Sequence, residues 1–166
     1  MAKESAKREA KLVLILHNIR SAQNVGSIFR TADAAGVEQI YLTGYTPSPL
    51  DRFGRGNDKI AKTALGAEKT VSWETQKSAS ALIKKLQKKG FSITAIELSP
   101  RAVAYTKWRP NFPLALVLGN EVKGISVPLL KLCDGVVEIP MRGTKESLNV
   151  SVAAGIILFK TAEYLT

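Results

Sequence analysis

The stretch that organises this chain is Ile139-Pro140-Met141-Arg142-Gly143-Thr144-Lys145-Glu146-Ser147-Leu148-Asn149-Val150-Ser151. It lies between a buried-strand pattern at residues 135–139 and a long apolar helix pattern that begins near Asn149. The residues between the two are small and polar and have no strand ladder of their own, so their backbone groups are available to a ligand. Asn149 is a candidate N-cap, and with Ser147 it places polar groups at a helix N-terminus. An ordinary strand-to-helix connection would show the same pattern.

A second segment of this kind lies upstream. Leu114-Ala115-Leu116-Val117-Leu118 is a continuous apolar run of strand length, and Gly119-Asn120-Glu121 follows at once. Fully apolar strands are typical of parallel sheets covered on both faces, and such sheets bind ligands beyond the carboxyl ends of their strands. The sequence therefore predicts a ligand site between two polar loops. Glu121 is suited to orient such a loop or to counter a cation, although an acid at a helix N-terminus is also favoured by the helix dipole.

Strand and helix patterns alternate along the chain, which predicts an α/β fold with a mainly parallel sheet flanked by helices. We expect a single domain at residues 12–166 after a basic arm at residues 1–11. The first helix is expected to begin at Asn24 as its N-cap. The other expected elements are strands at residues 12–16, 39–42, 70–73 and 91–96, helices at 58–64 and 78–89, a mobile loop at 43–57 and irregular surface at 102–113.

The charge of the chain indicates its partners. The 166 residues carry a net charge of +10, and the pI is about 9.8. Such an excess attracts phosphate backbones or anionic surfaces. One basic cluster falls in and just after the predicted mobile loop; it consists of Arg52, Arg55, Lys59 and Lys62.

Composition also excludes several classes of protein. The single cysteine, Cys133, excludes an internal disulfide framework and a cysteine-cluster metal site, and we expect it to be buried. No apolar run reaches the roughly 20 residues that a membrane helix needs, and the first residues lack the apolar centre of a signal peptide. We therefore expect a cytoplasmic protein without membrane or metal partners.

The run Asn24-Val25-Gly26-Ser27-Ile28-Phe29-Arg30 places a polar residue, a glycine and an arginine on the first turns of one helix. Gly26 and Arg30 share a face, and long helical side chains lean toward the helix N-terminus. With no Cβ at Gly26, Arg30 is expected to lie back beside Asn24 and to offer a planar set of donors to a phosphate or ribose oxygen. The alternative is a surface arginine that follows a close-packing glycine.

The closing helix pattern, residues 149–164, is apolar on nearly every side. A helix of that kind has to be covered all round. Its own sheet covers one side, and a second subunit is the simplest cover for the other. The sequence therefore predicts a homodimer.

Three blocks together resemble the motifs of the SpoU/TrmH family of RNA ribose 2′-O-methyltransferases, in the SPOUT superfamily. The resemblance runs from about residue 12 to residue 165 in the family's order. The blocks are Asn24-x-Gly26-x-x-x-Arg30, then Leu116-Val117-Leu118-Gly119-Asn120-Glu121-x-x-Gly124-Ile125, then Ile139-Pro140-Met141 with Ser147-Leu148-Asn149-Val150-Ser151-x-Ala153.

The resemblance implies a homodimer whose C-terminal part forms a deep trefoil knot, an exception to the near absence of knots in proteins. S-adenosylmethionine would bind in that knot. The family's cofactor contacts fall on Leu98, Gly119, Ile139, Met141, Ser147 and Leu148. Its functional polar residues fall on Asn24, Arg30, Glu121, Ser147 and Asn149.

From the resemblance we expect methyl transfer from S-adenosylmethionine to a ribose 2′-hydroxyl of tRNA or rRNA. The RNA is expected to contact Arg30 and the basic cluster at residues 52–62, because only about ten residues precede the first strand. One rival is a non-catalytic RNA-binding protein that retains the fold. A second rival is a SPOUT enzyme that methylates a nucleobase.

Overall fold

The computed structural model describes residues 10–165. The predicted basic arm at residues 1–11 therefore lies almost wholly outside the described residues. The strands are β1 (Leu12–His17), β2 (Gln39–Thr43), β3 (Ser72–Gln76), β4 (Ser92–Ile96), β5 (Val103–Ala104), β6 (Leu114–Leu118) and β7 (Gly135–Glu138). The helices are α1 (Ala22–Ala35), α2 (Asp58–Ala64), α3 (Ala67–Thr70), α4 (Ala79–Lys88), α5 (Val127–Leu132) and α6 (Val150–Ala162).

The described strands form one sheet in the order β3-β2-β1-β6-β4-β7-β5, and the strand pairs are parallel. The predicted α/β class with a mainly parallel sheet is confirmed. Strand β6 enters between β1 and β4, and β7 enters between β4 and β5. The loops that follow β1, β4, β6 and β7 therefore meet at one edge of the sheet, where ligands of parallel sheets bind.

The central strands are buried on both faces, as their unbroken apolar sequences predicted. Because side chains alternate along a strand, Leu14 of β1 and Leu116 of β6 enter one core, whereas Ile15 and Val117 enter the other. Helices α1, α2 and α6 cover the first core, and α4 and α5 cover the second. This two-sided cover is what an all-parallel sheet requires.

The structure corrects several predicted elements. Helix α1 begins at Ala22 with Ser21 as its N-cap, so the prediction of Asn24 as N-cap was wrong. The strand predicted at 70–73 begins at Ser72, since residues 67–70 form the short helix α3. Residues 102–113, expected to be irregular, include strand β5 at the sheet edge. Helix α5 was not predicted, because its six residues are too short for a clear periodic pattern.

Other predictions are confirmed. Helix α2 has the predicted bounds. Asn149 is the N-cap of α6, where its side chain accepts from the backbone N–H of Ser151. Cys133 is buried, and burial raises the pKa of its thiol to about 11. Within residues 10–165, no helix is long and apolar enough to cross a membrane.

Candidate functional site

A cleft opens at the carboxyl ends of β4, β6 and β7. Part of its wall is apolar, with side chains from Ile96, Leu118 and Ala153. Polar groups come from Glu97, Asn120 and Glu121. All six residues expected to contact a cofactor line this one cleft; they are Leu98, Gly119, Ile139, Met141, Ser147 and Leu148.

The loop between β7 and α6 borders the cleft with unused backbone groups. Residues 141–147 make no hydrogen bond to any other residue that the structure describes. Apart from the half-buried Met141, these residues are exposed. The loop is a set of donors and acceptors with no internal partners, as expected from its lack of a strand ladder.

Asn149 is committed to the start of α6. Its Oδ1 accepts from the backbone N–H of Ser151 at 2.8 Å and from the Ser151 hydroxyl at 2.7 Å. Asn149 is exposed and is not among the residues that line the cleft, whereas Ser147 is. The structure therefore brings Ser147, but not Asn149, into the wall of the cleft.

The Glu97 carboxylate holds two backbone segments of the cleft wall in place, one at Leu98 and one at Ile125. Its Oε2 accepts from the backbone N–H of Ile125 at 3.0 Å, and its Oε1 accepts from Leu98 N–H at 3.0 Å. Gly124 has φ +66°, and a Cβ there would collide with the Glu97 carboxylate. A side chain at Gly124 would thus be excluded by both backbone conformation and space. Sequence reasoning missed Glu97, although an acid directly after a buried strand was a signal for it.

The turn after β6 is fixed by Asn120, which is buried. Its Oδ1 accepts from the backbone N–H groups of Val122 at 2.9 Å and Lys123 at 2.8 Å. Its Nδ2 donates to Asn18 O and to the Tyr45 hydroxyl, each at 3.0 Å. A single amide thus joins the loops after β1, β2 and β6. Next to the cleft, this junction forms a second pocket with Arg20, Tyr45, Val122 and Lys123.

Glu121 joins the cleft to the start of α1. Its carboxylate accepts from Arg20 N–H at 3.0 and 3.1 Å, from Ser21 N–H at 3.0 Å and from Asn24 Nδ2 at 3.3 Å. Burial would raise the pKa of Glu121, but the backbone donors of Arg20 and Ser21 and the amide of Asn24 outweigh it and lower the pKa. The predicted functional residues Asn24 and Glu121 are therefore in contact, and Glu121 is ionised at neutral pH.

Gly26 has a different role from the one expected. A Cβ at Gly26 would collide with Thr63 Oγ1 and the carbonyl oxygen of Ile60, and it would lie 3.1 Å from Ala64 N. The glycine therefore permits close packing of α1 against α2. This is the alternative interpretation of the motif, and the expectation that Gly26 makes room for Arg30 was wrong.

Arg30 does not approach the cleft within one chain. It is exposed, its side chain makes no hydrogen bond or ion pair with other residues of the described chain, and it is not part of the cleft lining. No hydrogen bond joins the Arg30 guanidinium to Asn24, whose side-chain amide donates to Glu121 instead. Of the five predicted polar residues, the structure groups Asn24, Glu121 and Ser147 around the cleft and its rim and leaves Arg30 and Asn149 outside.

The predicted basic cluster lies on one connected surface. Arg52 and Arg55 occupy a turn within the loop after β2, and Lys59 and Lys62 lie exposed on α2. The loop is internally bonded by Asn57 N–H to Pro49 O at 2.9 Å and by a bridge between Leu50 and Gly56. Because α2 packs on α1 at Gly26, this surface is fixed relative to Glu121 and the cleft.

The chain matches a family model described as SpoU rRNA Methylase family over residues 11–159. The chain belongs to this family. The matched region contains the three motif blocks and every cleft residue. The resemblance drawn from the motifs is therefore confirmed.

Curated relatives in the SpoU family include RNA-modifying enzymes. The chain is 36% identical over 151 residues to the 23S rRNA (guanosine-2'-O-)-methyltransferase RlmB of Ralstonia nicotianae, covering 90% of this chain and 57% of that protein. It is 34% identical over 154 residues to the tRNA (guanosine(18)-2'-O)-methyltransferase of Aquifex aeolicus, covering 93% of this chain and 70% of that protein. This chain thus spans little more than half the length of the RlmB relative.

Solved structures of SpoU-type enzymes share the fold. The AdoMet-bound rRNA methyltransferase from Sinorhizobium meliloti matches with a TM-score of 0.85 and 28% identity, over 96% of this chain and 58% of that one. The TrmH/SpoU tRNA modifying enzyme of A. aeolicus matches with a TM-score of 0.80 and 31% identity, over 95% of this chain and 76% of that one. The parallel α/β architecture is therefore that of the SpoU methyltransferases.

Proposed function

We propose that this chain transfers a methyl group from S-adenosylmethionine to a ribose 2′-hydroxyl of tRNA or rRNA, as a catalytic domain spanning residues 12–166. The observation that carries the proposal is the cleft, in which a bare loop at residues 141–147 faces the fixed turn after β6 in a member of the SpoU family. The rRNA and tRNA relatives are both named as guanosine 2'-O-methyltransferases, which favours ribose over base chemistry. We propose a cytoplasmic location for this reaction.

The cleft suits S-adenosylmethionine. Apolar side chains of Leu98, Ile139 and Leu148 can cover the adenosine, while free backbone groups near Met141 and Ser147 can bind its polar atoms. Gly119 would let the backbone approach the ligand closely. When bound, the sulfonium supplies an already activated methyl group, so the remaining task of the protein is alignment and electrostatic stabilisation. This reaction requires no metal ion.

The polar residues have separate tasks in this proposal. Glu121 and Asn24 hold the start of α1 against the cleft, and Asn149 caps the helix that borders it. Ser147, which lines the cleft without a partner in the described chain, is left to bind the ligand. Arg30 holds a phosphate of the RNA and stabilises the negative charge that develops on the 2′-oxygen. A guanidinium stays charged at neutral pH, which argues against Arg30 as the proton acceptor. The proton leaves to a phosphate oxygen or water.

We propose that Arg30 acts in the cleft of a second subunit, because it lies outside its own. The outer face of α6 supports a homodimer: Val152 and Phe159 are 50% and 51% exposed on this apolar helix. We also propose that the C-terminal part forms a deep trefoil knot. The insertion of β6 and β7 between strands already laid down by the chain is the kind of path that such a knot needs.

Two measurements test the proposal. Calorimetry should detect binding of S-adenosylmethionine and not of NAD. Incubation with tRNA and rRNA transcripts, followed by mapping of 2′-O-methyl sites, should identify a modified ribose. Methylation found on a base would favour the nucleobase rival, and RNA binding without methylation would favour the non-catalytic rival. Failure to bind S-adenosylmethionine would overturn the proposal.

Substitution of Arg30 tests its assigned role. Arg30→Ala should reduce the methylation rate by at least about a hundredfold, the scale of losing one stabilising donor. Binding of S-adenosylmethionine should be nearly unchanged, because the role assigned to Arg30 is toward the RNA phosphate and the 2′-oxygen and not toward the cofactor. The matched control is Lys84→Ala, which removes an exposed cation from α4 on the other face of the sheet. A near wild-type rate in Arg30→Ala would remove Arg30 from the mechanism.

A further inference from the structure

A tight turn at residues 51–55, here called the Phe53 turn, presents an aromatic ring to solvent. Phe53 is 66% exposed. The turn closes through Asp51 N–H to Arg55 O at 2.9 Å and Gly54 N–H to Asp51 O at 3.0 Å. A single exposed apolar side chain is common on protein surfaces and carries no argument alone. The surroundings of this ring are what make it distinctive.

Asp51 holds the Phe53 turn in one conformation. Its Oδ1 accepts from the backbone N–H groups of Phe53 at 2.8 Å and Arg55 at 2.9 Å, and its Oδ2 accepts from Arg55 Nε at 2.7 Å. The backbone donor of Arg55 lowers the pKa of Asp51 most strongly, although Asp51 is exposed. With its backbone fixed in this way, the ring is presented at a defined position and loses less conformational entropy when it binds.

Two guanidinium groups lie against the ring. The Cζ atom of Arg52 is 4.7 Å from the ring centroid, and that of Arg55 is 5.0 Å away. These are cation–π distances. An exposed aromatic ring beside cations is the combination that sites for single-stranded nucleic acid use, because bases stack on the ring while cations bind the phosphates.

The position of the Phe53 turn links it to the cleft. The turn is followed directly by α2, which presents Lys59 and Lys62 to solvent. Helix α2 packs on α1 at Gly26, and Glu121 fixes the start of α1 beside the cleft. An RNA strand that leaves the cleft along this basic surface would reach Phe53 on a rigid support.

We propose that Phe53 stacks on an unpaired base of the substrate RNA, and that Arg52 and Arg55 bind the phosphates on either side of that base. The proposal rests on the proposed function only in that the ligand is RNA. It adds a requirement for a single-stranded nucleotide away from the methylated ribose. Unpaired bases are the part of a structured RNA that aromatic side chains can reach.

The first test separates stacking from charge. The probes are a 12-nucleotide oligoadenylate and a 12-nucleotide abasic RNA with the same number of phosphates, each bound to the full chain by fluorescence anisotropy. Phe53→Leu should weaken oligoadenylate binding about tenfold, the scale of one lost base–aromatic stack. It should change binding of the abasic RNA by less than about twofold, since no base is present to stack. Phe53→Tyr, which keeps an aromatic ring, should bind both probes as the unaltered chain does.

A matched control removes a different exposed apolar side chain. Val127 is exposed on α5, on the opposite face of the sheet from α2. Val127→Ala should leave both affinities unchanged. The thermal midpoint of Phe53→Leu should equal that of the unaltered chain, because the ring contributes little to the core.

The salt dependence of RNA affinity separates the contribution of Arg52 from that of the Phe53 ring. Arg52→Gln should reduce the slope of log affinity against log salt by about 0.7, the contribution of one phosphate contact to a single strand. Phe53→Leu should leave that slope unchanged and lower the affinity at every salt concentration. The two variants should therefore have different signatures on the same probe.

The proposal is overturned if Phe53→Leu binds oligoadenylate as well as the unaltered chain does, or if it loses the same factor with the abasic RNA. Unchanged RNA affinity with an altered sedimentation coefficient would also overturn it and assign the ring to a protein contact. These outcomes leave binding of S-adenosylmethionine and methyl transfer intact. Failure of the proposed function would instead appear as lost cofactor binding in the unaltered chain.

Discussion

Helices α1 and α6 lie on the same face of the sheet and pack together, where Gly155 approaches Thr31, but they present different outer surfaces. Helix α1 buries one apolar face and turns polar residues such as Arg30 to solvent. Helix α6 buries Ile157 and Leu158 against the core and still exposes Phe159 on its outer side. Helix α1 thus has the usual pattern of a surface helix, whereas the apolar outer face of α6 is the surface on which we propose that a second subunit packs.

The N-termini of the two helices also differ in how many hydrogen bonds they make to distant parts of the chain. The start of α1 is bonded to a distant part of the chain, since the Glu121 carboxylate accepts from Arg20 and Ser21 N–H, and the Ser21 hydroxyl accepts from Asn24 N–H. The start of α6 has only its local Asn149 cap, and residues 141–147 before it have no partner in the described chain. The difference teaches that polar residues at two helix starts can be used differently: the first start bonds to a distant carboxylate, whereas the second follows a loop without partners in the described chain.

The largest expected effect separates the two faces of α6. Ile157→Glu should prevent folding, because it places an unpaired charge among fully buried side chains at a cost of several kcal/mol. Phe159→Glu should fold with a normal circular dichroism spectrum and sediment as a monomer. Lys84→Glu, a charge change at an exposed position of α4, serves as the control for charge alone. A dimeric Phe159→Glu protein at micromolar concentration would remove the outer face of α6 from the interface.

A second prediction compares an engaged carboxylate with an unengaged one. Glu121→Ala should lower the free energy of unfolding by about 2 kcal/mol, since backbone donors lose a charged acceptor. For a chain of this size, the thermal midpoint would fall by roughly 4–8 °C. Glu146→Ala in the bare loop should shift the midpoint by less than about 1 °C, because its side chain makes no bond in the described chain. Equal shifts in the two variants would contradict the difference drawn between the regions.

The pH dependence of Glu121→Gln sharpens the same prediction. The pKa of Glu121 in the folded chain lies below its ordinary value near 4.5. Its ionised form therefore contributes stability above that ordinary value, and the contribution is lost as the pH falls through the folded pKa. Chemical unfolding between pH 6 and pH 3 should show a smaller loss of stability in Glu121→Gln than in the unaltered chain.

The smallest expected effect concerns Leu148, which lines the cleft just before the start of α6. Leu148→Ala should weaken binding of S-adenosylmethionine by about tenfold, the scale of losing about 1.4 kcal/mol of apolar contact. The thermal midpoint without ligand should hardly change, because Leu148 is partly exposed. Leu50→Ala, which shortens an exposed leucine outside the cleft, is the matched control. Unchanged affinity in Leu148→Ala, measured by calorimetry, would place the cofactor elsewhere.

Several features could be predicted from sequence because their signals are local. Buried strands such as Leu114–Leu118 appear as continuous apolar runs, and Asn149 precedes an apolar helix as a cap should. The motif blocks contain five of the six expected cofactor contacts, and the resemblance placed the sixth, Leu98, by position; the sheet then brings all six to one edge. The prediction of Asn24 as the N-cap of α1 was wrong for a local reason too. Ser21, three residues earlier, is an equally good cap and occupies that position.

The sequence by itself determined the α/β class, the polar loops after the strands and the family. Only the tertiary structure decided what those polar groups bind. Glu121 bonds to Arg20 and Gly26 meets Ile60, and neither partner is marked by any local pattern. Such pairs depend on the order of strands in the sheet, because insertion of β6 beside β1 is what places a carboxylate 101 residues away against the start of α1. Periodicity encodes which side chains are buried, whereas the choice among distant partners follows from how the buried elements are arranged.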